Sequence, residues 1–346
     1  MLYKIVFYIF VFIGGFIVTK VGISAGWIIG SLLTGILYSF FIRKIKFSNT
    51  FFKFAIGFIG VNIGLMIDED LLPTLVKYSI PLAVSIILIL IGSMLLSWIL
   101  YKNTFLDKKT ALFCCMPGGA SVMISLSEDY GADSRIVTAF HIVRITIFVL
   151  LIPLLSGFIV NADPVVLSNE GESFVFDYAL LYKIPILIVV VFVAIFVAKM
   201  IKIPSAPFIL SMILGFLLNQ FVYDVGSMPN YVLSFGQVLL GGVISVRFNR
   251  DILSKMNKIK FVSATVMGLY IVLGFAVSLF IYMITSFNFV TSLLSVVPAG
   301  AAEMASTAVL LDQDGSLVAS FQLIRVLVLT IIIPIIMSFI FRREVE

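Results

Sequence analysis

The sequence predicts an all-α polytopic membrane protein made of two inverted repeats. Each repeat has about five transmembrane helices and one Pro/Gly-broken re-entrant segment. Three observations carry the prediction: an apolar composition, apolar segments of spanning length, and self-similarity at one fixed offset. Of 346 residues, 61% are hydrophobic and 12% charged, against roughly 45–50% and roughly 25% in soluble domains. Mean hydropathy is +1.20. A water-soluble core cannot hide that much apolar surface, so the solvent is a bilayer. The net charge of +5 comes from scattered lysines and arginines, which in a membrane protein belong to cytoplasmic loops and anionic lipid. No nucleic-acid partner is therefore expected. Cys114 and Cys115 are adjacent, which excludes a disulfide framework or a CxxC metal site. A single histidine, His141, is too few for a histidine-ligated metal enzyme. No catalytic residues, metal or cofactor are expected.

A hydrocarbon core of about 30 Å needs about 20 apolar residues per helix. In chain order such segments fall near 3–20, 24–42, 51–67, 78–101 and 135–160, then 183–201, 205–223, 231–247, 261–284 and 316–341. The first carries Lys4 but no small-residue cleavage site, so it reads as a retained helix. Segment 51–67 is short and holds Gly57, Gly60 and Gly64; should it fail to cross, the two broken segments must cross instead. Those segments, 110–128 and 291–311, are interrupted by Met116-Pro117-Gly118-Gly119 and Val297-Pro298-Ala299-Gly300. Unwound backbone at membrane depth survives only inside protein or beside a watery cavity. The breaks are the first pointer to a site.

An offset of 181 positions aligns the chain with itself. Ser24-Ala25-Gly26 meets Ser205-Ala206-Pro207, and Gly60, Ile63 and Asp70 meet Gly241, Ile244 and Asp251. From 117 to 155 against 298 to 336, 11 of 39 positions are identical, among them Pro117/Pro298, Gly119/Gly300, Ser125/Ser306, Asp133/Asp314 and Arg144/Arg325. Matched Pro, Gly, Asp and Arg at one offset mark an internal duplication. Domains follow as a first repeat over 1–160, an acidic polar linker over 161–177 and a second repeat over 178–346.

Loop charge sets the orientation. The loop 43–53 is basic (Arg43, Lys44, Lys46, Lys53) and the next, Asp68-Glu69-Asp70, is acidic. In the second repeat the order reverses: no lysine or arginine flanks Asp224, while 247–260 carries Arg247, Arg250, Lys255, Lys258 and Lys260. Positive loops lie inside, so the copies are inverted, which requires an odd number of crossings in each. Lys102, Lys108 and Lys109 then lie inside, and Asp163, Glu170 and Glu172 outside. The expected location is the cell membrane, with the N-terminus and, from Arg342-Arg343, the C-terminus cytoplasmic.

The candidate site residues cluster at the breaks. Arg144 and Arg325 lie about ten residues into their helices, where a charge costs roughly 2.5–3.5 kcal/mol and must face protein or water. They either mark a pathway or pair structurally, as Arg325 could with Glu303. Gly118, Gly119, Ser121, Gly300 and Ala301 border half-helix N-termini whose free N–H groups suit an anion; the bland reading is close packing. Glu303 is the acid at either break. It could carry a coupling proton, as a carboxyl in apolar surroundings favours its neutral form, or balance an arginine. His141 sits three residues before Arg144, and its repeat partner is Gln322; relay and hydrogen-bonded core residue both remain open. Asn62, between Gly60 and Gly64, could serve as an ion or substrate ligand.

The paired signatures Pro117-Gly118-Gly119-Ala120-Ser121-Val122-Met123 … Gly131-Ala132-Asp133 … Arg144 and Pro298-Ala299-Gly300-Ala301-Ala302-Glu303-Met304 … Asp314 … Arg325 resemble the membrane AbrB-duplication family, over essentially the whole chain. Val122 and Ala299 depart from its pattern, where an acid and a glycine are expected. That family is in turn similar to the cation/proton-antiporter and anion-transporter superfamily. The resemblance implies a secondary transporter working by alternating access with H+ or Na+ coupling. Two midplane arginines against one glutamate favour a small anion or organic acid as substrate. A membrane-embedded ligand sensor or regulator fits the family's regulatory label. Its monooxygenase label meets no credible metal ligand set here. Small-molecule or ion substrate and membrane lipid are the expected partners, and a homo-oligomer is left open.

Overall fold

The computed structural model describes residues 2–23, 25–160, 180–201, 203, 205–222, 225, 228–248, 254 and 256–341. The linker 161–177, Asp224, Arg250, Lys255 and Arg342-Arg343 lie outside them. Among the described residues there are fifteen α-helices and no strand. The first copy runs α1 (Leu2–Lys20), α2 (Gly26–Phe41), α3 (Asn49–Gly64), α4 (Leu71–Lys77), α5 (Ser79–Lys102), α6 (Lys108–Cys115), α7 (Ala120–Asp129) and α8 (Ser134–Val160). The second runs α9 (Leu180–Ala198), α10 (Ala206–Leu217), α11 (Asn230–Ser245), α12 (Lys260–Ile284), α13 (Phe289–Val296), α14 (Ala301–Leu310) and α15 (Gly315–Phe341). The ten apolar segments read from the sequence all appear as helices. The short α4, directly after the acidic Asp68-Glu69-Asp70, was not expected.

Five stretches are long and apolar enough to cross a bilayer: Tyr3–Lys20, Ser79–Lys102, Ser134–Ile159, Asn257–Ile284 and Gly315–Phe341. Their outer faces are apolar and exposed, as at Ile9, Phe12 and Ile13 of α1 or Ile331 and Phe339 of α15. Such continuous surface is stable only against hydrocarbon. This is a multi-pass membrane protein of all-α architecture.

The duplication is visible in the element bounds. Helices α3 and α11 start at Asn49 and Asn230, α6 and α13 at Lys108 and Phe289, α7 and α14 at Ala120 and Ala301, α8 and α15 at Ser134 and Gly315. Each pair lies 181 apart. The caps repeat as well: Asp107 accepts from the Thr110 amide, and Asn288 from the Thr291 amide. The alignment of Ala25 with Ala206 needs correction. The left-handed residue that starts α2 is Ala25 (φ 55°), and the one that starts α10 is Ser205 (φ 55°), an offset of 180. The offset is 181 again at Asn49 and Asn230, and between lies a π-helix, Leu218–Val222, whose wider turn can absorb one extra residue.

The copies interlock through close backbone approaches. On α3, a Cβ on Gly64 would stand 2.1 Å from the Met212 carbonyl of α10, and one on Gly215 of α10 would stand 2.6 Å from the Val61 carbonyl. Small residues permit this contact, which is why the short α3 is rich in glycine. At the equivalent crossing of α11 with α2, a Cβ on Gly241 would meet the Ser31 hydroxyl, and one on Gly35 the Ser245 hydroxyl. Helices α5 and α12 instead run antiparallel. Tyr78 Oη meets Ser286 Oγ at 2.5 Å, Ser93 Oγ meets Tyr270 Oη at 2.6 Å, and Gly92 lies under Leu273, the position 181 further on.

Candidate functional site

Each broken segment is a helical hairpin whose first arm ends inside the protein, at the buried Cys115-Met116 and Val296-Val297. A helix end leaves its last carbonyls without intrahelical partners, and each buried orphan costs about 1–3 kcal/mol. Here side chains serve them. For α6, His141 Nε2 meets the Phe113 carbonyl at 2.9 Å, Tyr270 Oη donates to the Cys115 carbonyl at 2.8 Å, and Arg144 Nη1 donates to the Met116 carbonyl at 3.2 Å. For α13, Gln322 Nε2 donates to the Leu294 carbonyl at 2.6 Å and to the Val297 carbonyl at 2.9 Å. Arg325 Nη1 donates to the carbonyls of Val296 and Val297. Both arginines therefore sit at the negative end of a half-helix dipole, where a cation is stabilised.

His141 and Gln322 hold the arginines in the same way. Arg144 Nη2 lies 2.9 Å from His141 Nδ1, and Arg325 Nη2 donates to Gln322 Oε1. Because Arg can only donate, Nδ1 must accept and Nε2 must carry the ring proton toward Phe113. The imidazole is held as the neutral Nε2–H tautomer, with one donor and one acceptor, as in a glutamine amide. One difference separates the copies. Tyr270 serves the Cys115 carbonyl, whereas Arg325 itself serves the equivalent Val296 carbonyl; the repeat counterpart of Tyr270 is Ile89. The Nε of Arg144 is buried and has no hydrogen-bond partner. Its guanidinium also lies 5.4 Å from the centre of the Tyr270 ring, and the two arginines are within coulombic reach of each other.

The second arms begin at Gly119 and Gly300, and neither N-terminus has a side-chain cap from its first residue. They differ one turn on. Glu303 folds back over Gly300, so that a Cβ there would stand 1.8 Å from its Oε2. The carboxylate thus covers the N-terminal end of α14, beside Ala301. In α7 the same place is Val122, and the nearest atoms over Gly118 are those of Met123. Ser121 lies in the first turn of α7, and its side chain is outside the described set. The sequence alternative of an Arg325–Glu303 pair is corrected: the terminal nitrogens of Arg325 go to Val296, Val297 and Gln322, because the carbonyls of α13 are nearer and would otherwise be orphaned.

Asn62 is buried in α3, away from both arginines' partners. Its Nδ2 donates to the Phe58 carbonyl at 2.6 Å. Sequence reasoning missed Tyr270 and Gln237. The signal for Gln237 was a polar residue in an apolar helix whose repeat counterpart, Ile56, is apolar.

The family whose model is described as "Transition state regulatory protein AbrB" matches residues 27–341. A Bacillus subtilis (strain 168) protein named "Uncharacterized protein YhjN" is 27% identical, covering 93% of this chain and 88% of its own length. An Escherichia coli (strain K12) protein named "Putative regulator AbrB" is 24% identical, covering 92% of this chain and 91% of its own. The match spans both hairpins and the two arginine helices, and the chain belongs to the AbrB family.

Proposed function

We propose that the protein is a secondary transporter of a small anion or organic acid, working by alternating access with the two hairpins at its centre. The carrying observation is that two hairpins of the same backbone design stand in opposite environments. In α14 every residue from Ala302 to Ala308 is buried, and the helix packs on α3 and α11. In α7 only Met123 and Ser127 are buried among the residues with described side chains, and Ser125 is exposed. The second arms thus differ in cover while Gly118, Gly119, Ala299 and Gly300 at the breaks are half-buried alike, and an unequal cover of two equivalent arms fits one end-state of a rocking cycle.

The antiparallel contact of equivalent helices α5 and α12 supports the inverted arrangement of the copies. With positive loops inside, α6 and α7 enter from the cytoplasmic side, and the less covered arm lies on that side. The first break suits an anion: a half-helix N-terminus at Gly118 and Gly119 with no acid in its first turn, and the unpartnered Nε of Arg144. At the second break, Arg325 is spent on carbonyls and Glu303 occupies the helix end. In this reading the machinery is a cell-membrane carrier with both termini cytoplasmic, and no bond is made or broken.

A sensor reading is favoured by one observation, the word regulator in the descriptions of the family and of the E. coli relative. Reconstitution separates the two. Purified protein is screened for thermal stabilisation by small carboxylates and inorganic anions, since a ligand of the native state raises its apparent stability. The stabilising anion is then offered to proteoliposomes. Saturable uptake, lost in Arg144→Gln, supports the carrier. Stabilisation without flux supports the sensor, and no stabilisation by any anion overturns the anion site.

A further inference from the structure

Away from the hairpins, a cleft of about 580 Å³ opens beside α1, within the range of roughly 300–1,000 Å³ found for small-molecule sites. One wall is a stripe of α1: Ile5, Tyr8, Ile9 and Phe12 stand three or four residues apart and so share a face. The other wall is the loop into α3 and its first turn, with Phe47, Ser48 and Phe51. Ile5, Ile9 and Phe12 form the exposed edge. The inner side is fixed by rings. Phe47 and Phe51 stack at 5.3 Å, and Tyr8 lies 5.3 Å from Phe47 and 5.7 Å from Phe51. A Cβ on Gly242 would stand 3.0 Å from the Tyr8 ring, so α11 backs that ring directly.

One end of the cleft is cationic. Lys4 lines it and holds its ammonium 5.4 Å over the Phe47 ring. The Arg43 guanidinium lies 4.6 Å from the ring of Tyr3, the residue before Lys4, and Lys46 directly precedes Phe47. No Asp or Glu occurs in residues 1–67 or in α11, so no acid of α1, α2, α3 or α11 neutralises this rim. Ser48 Oγ accepts from the Phe51 amide at 3.3 Å, which leaves its own O–H proton to donate outward. The second copy does not repeat the feature. At the 181 offset Lys4, Phe47 and Ser48 become Pro185, Met228 and Pro229. With positive loops inside, the cleft meets the cytoplasmic leaflet, the one with an anionic surface.

An apolar cleft that ends at a cation without an acid calls for an amphiphile with an acidic head. From Lys4 to Phe12 the helix rises about 12 Å, a length along which an acyl chain can lie. A second copy is the poorer occupant. A two-fold dimer in one membrane holds both copies the same way up, so the basic rim would meet its own like charge. We propose that the cleft binds one acidic glycerophospholipid, its phosphate at Lys4 and Ser48 and an acyl chain along Ile5, Ile9 and Phe12. The site stands apart from the hairpins and does not depend on the transporter reading.

The test is thermal unfolding of the purified full chain in micelles of an uncharged detergent, with dioleoyl phosphatidylglycerol, dioleoyl phosphatidylcholine or inorganic phosphate added. The expected result is saturable stabilisation by phosphatidylglycerol, at about fivefold lower lipid than phosphatidylcholine requires. Lys4→Gln should remove that preference. Lys258→Gln, the same loss of charge at an exposed residue of the other basic loop, should keep it. Ile9→Trp, which fills the cleft, should weaken the effect of phosphatidylglycerol. An equal loss of preference in Lys4→Gln and Lys258→Gln reduces the effect to overall charge and overturns the site. Inorganic phosphate stabilising as well as the lipid replaces it with a free anion and overturns the proposal. So does a dimer that Ile9→Trp dissociates and phosphatidylglycerol leaves unchanged, which gives the cleft to a second copy. Should the variants fail to fold, native mass spectrometry of the wild type from micelles with equal amounts of the two lipids decides. One phosphatidylglycerol retained per chain supports the site, and equal retention of both lipids overturns it.

Discussion

The two hairpins follow one backbone path in two settings. The residue ending the first arm has φ −59° and ψ 132° in both, at Met116 and at Val297. Yet α14 is enclosed by α3 and α11, while α7 rests on α6 and α8 of its own copy. Local geometry therefore does not decide the exposure of a hairpin. Duplicated sequence specifies the break, the caps and the arginine clamp, and the packing of one copy on the other selects which hairpin is covered.

The sharpest way to break the comparison is to label it. Ser125 and Ser306 are repeat equivalents; the first is exposed and the second fully buried. Purified Ser125→Cys should react readily with a small water-soluble maleimide, and Ser306→Cys should stay unmodified. The native Cys114 and Cys115 are buried and add little background. Equal labelling of both sites would mean that the asymmetry is not a property of the protein in solution.

A second contrast lies in the arginines. Losing Arg325 strips the Val296 carbonyl of its donor, so Arg325→Gln should cost about 3 kcal/mol and lower Tm clearly. Losing Arg144 orphans no carbonyl outright, because the Gly118 amide also donates to Met116 at 3.1 Å. Arg144→Gln should cost about 1 kcal/mol while abolishing stabilisation by the anion. The reverse ranking in thermal unfolding would refute the clamp as described.

A smaller effect is expected from two glycines. Gly300→Ala drives a methyl into the Glu303 carboxylate and should cost about 1–3 kcal/mol, with partial rescue by adding Glu303→Ala. Gly118→Ala meets the unbranched Met123 side chain, its terminal methyl at 2.7 Å, Sδ at 3.0 Å and Cγ at 3.1 Å, which can shift, and should cost less than about 1 kcal/mol. Equal losses by thermal unfolding would argue against Glu303 covering the α14 end.

Much of this was legible in the sequence, for physical reasons. Apolar runs of spanning length and the Pro-Gly interruptions are local signals, so helix positions and both breaks came through. The duplication was legible because Pro, Gly, Asp and Arg resist replacement by chance. Partnerships were not. That Arg325 turns to backbone carbonyls rather than to Glu303 depends on where α13 ends in space. That Tyr270 of the second copy caps α6 of the first depends on the antiparallel contact of α5 with α12. The one-residue shift at Ser205 is invisible until the matching left-handed residues Ala25 and Ser205 are seen. The 161–177 linker lies outside the described residues, so the comparison says nothing of it.

The mildest contrast is between His141 and Gln322, and it bears on proton coupling. Both residues donate to the hairpin, His141 to one carbonyl and Gln322 to two, and accept from an arginine three positions on. If that is all His141 does, glutamine can replace it. His141→Gln should then change stability by less than about 1 kcal/mol, since the Phe113 carbonyl and Arg144 keep their partners. His141→Leu removes both bonds and should be costlier, by about 1–3 kcal/mol for the orphaned carbonyl. A relay would behave differently, because a glutamine cannot take up and release a proton near neutral pH. Uptake driven by a pH gradient in proteoliposomes should therefore survive His141→Gln, and in a His141→Gln chain both arginines would be held by the same residue type. Loss of pH-driven accumulation with normal thermal stability would return His141 to the proton path, and the likeness of the two clamps would then be one of geometry without shared function.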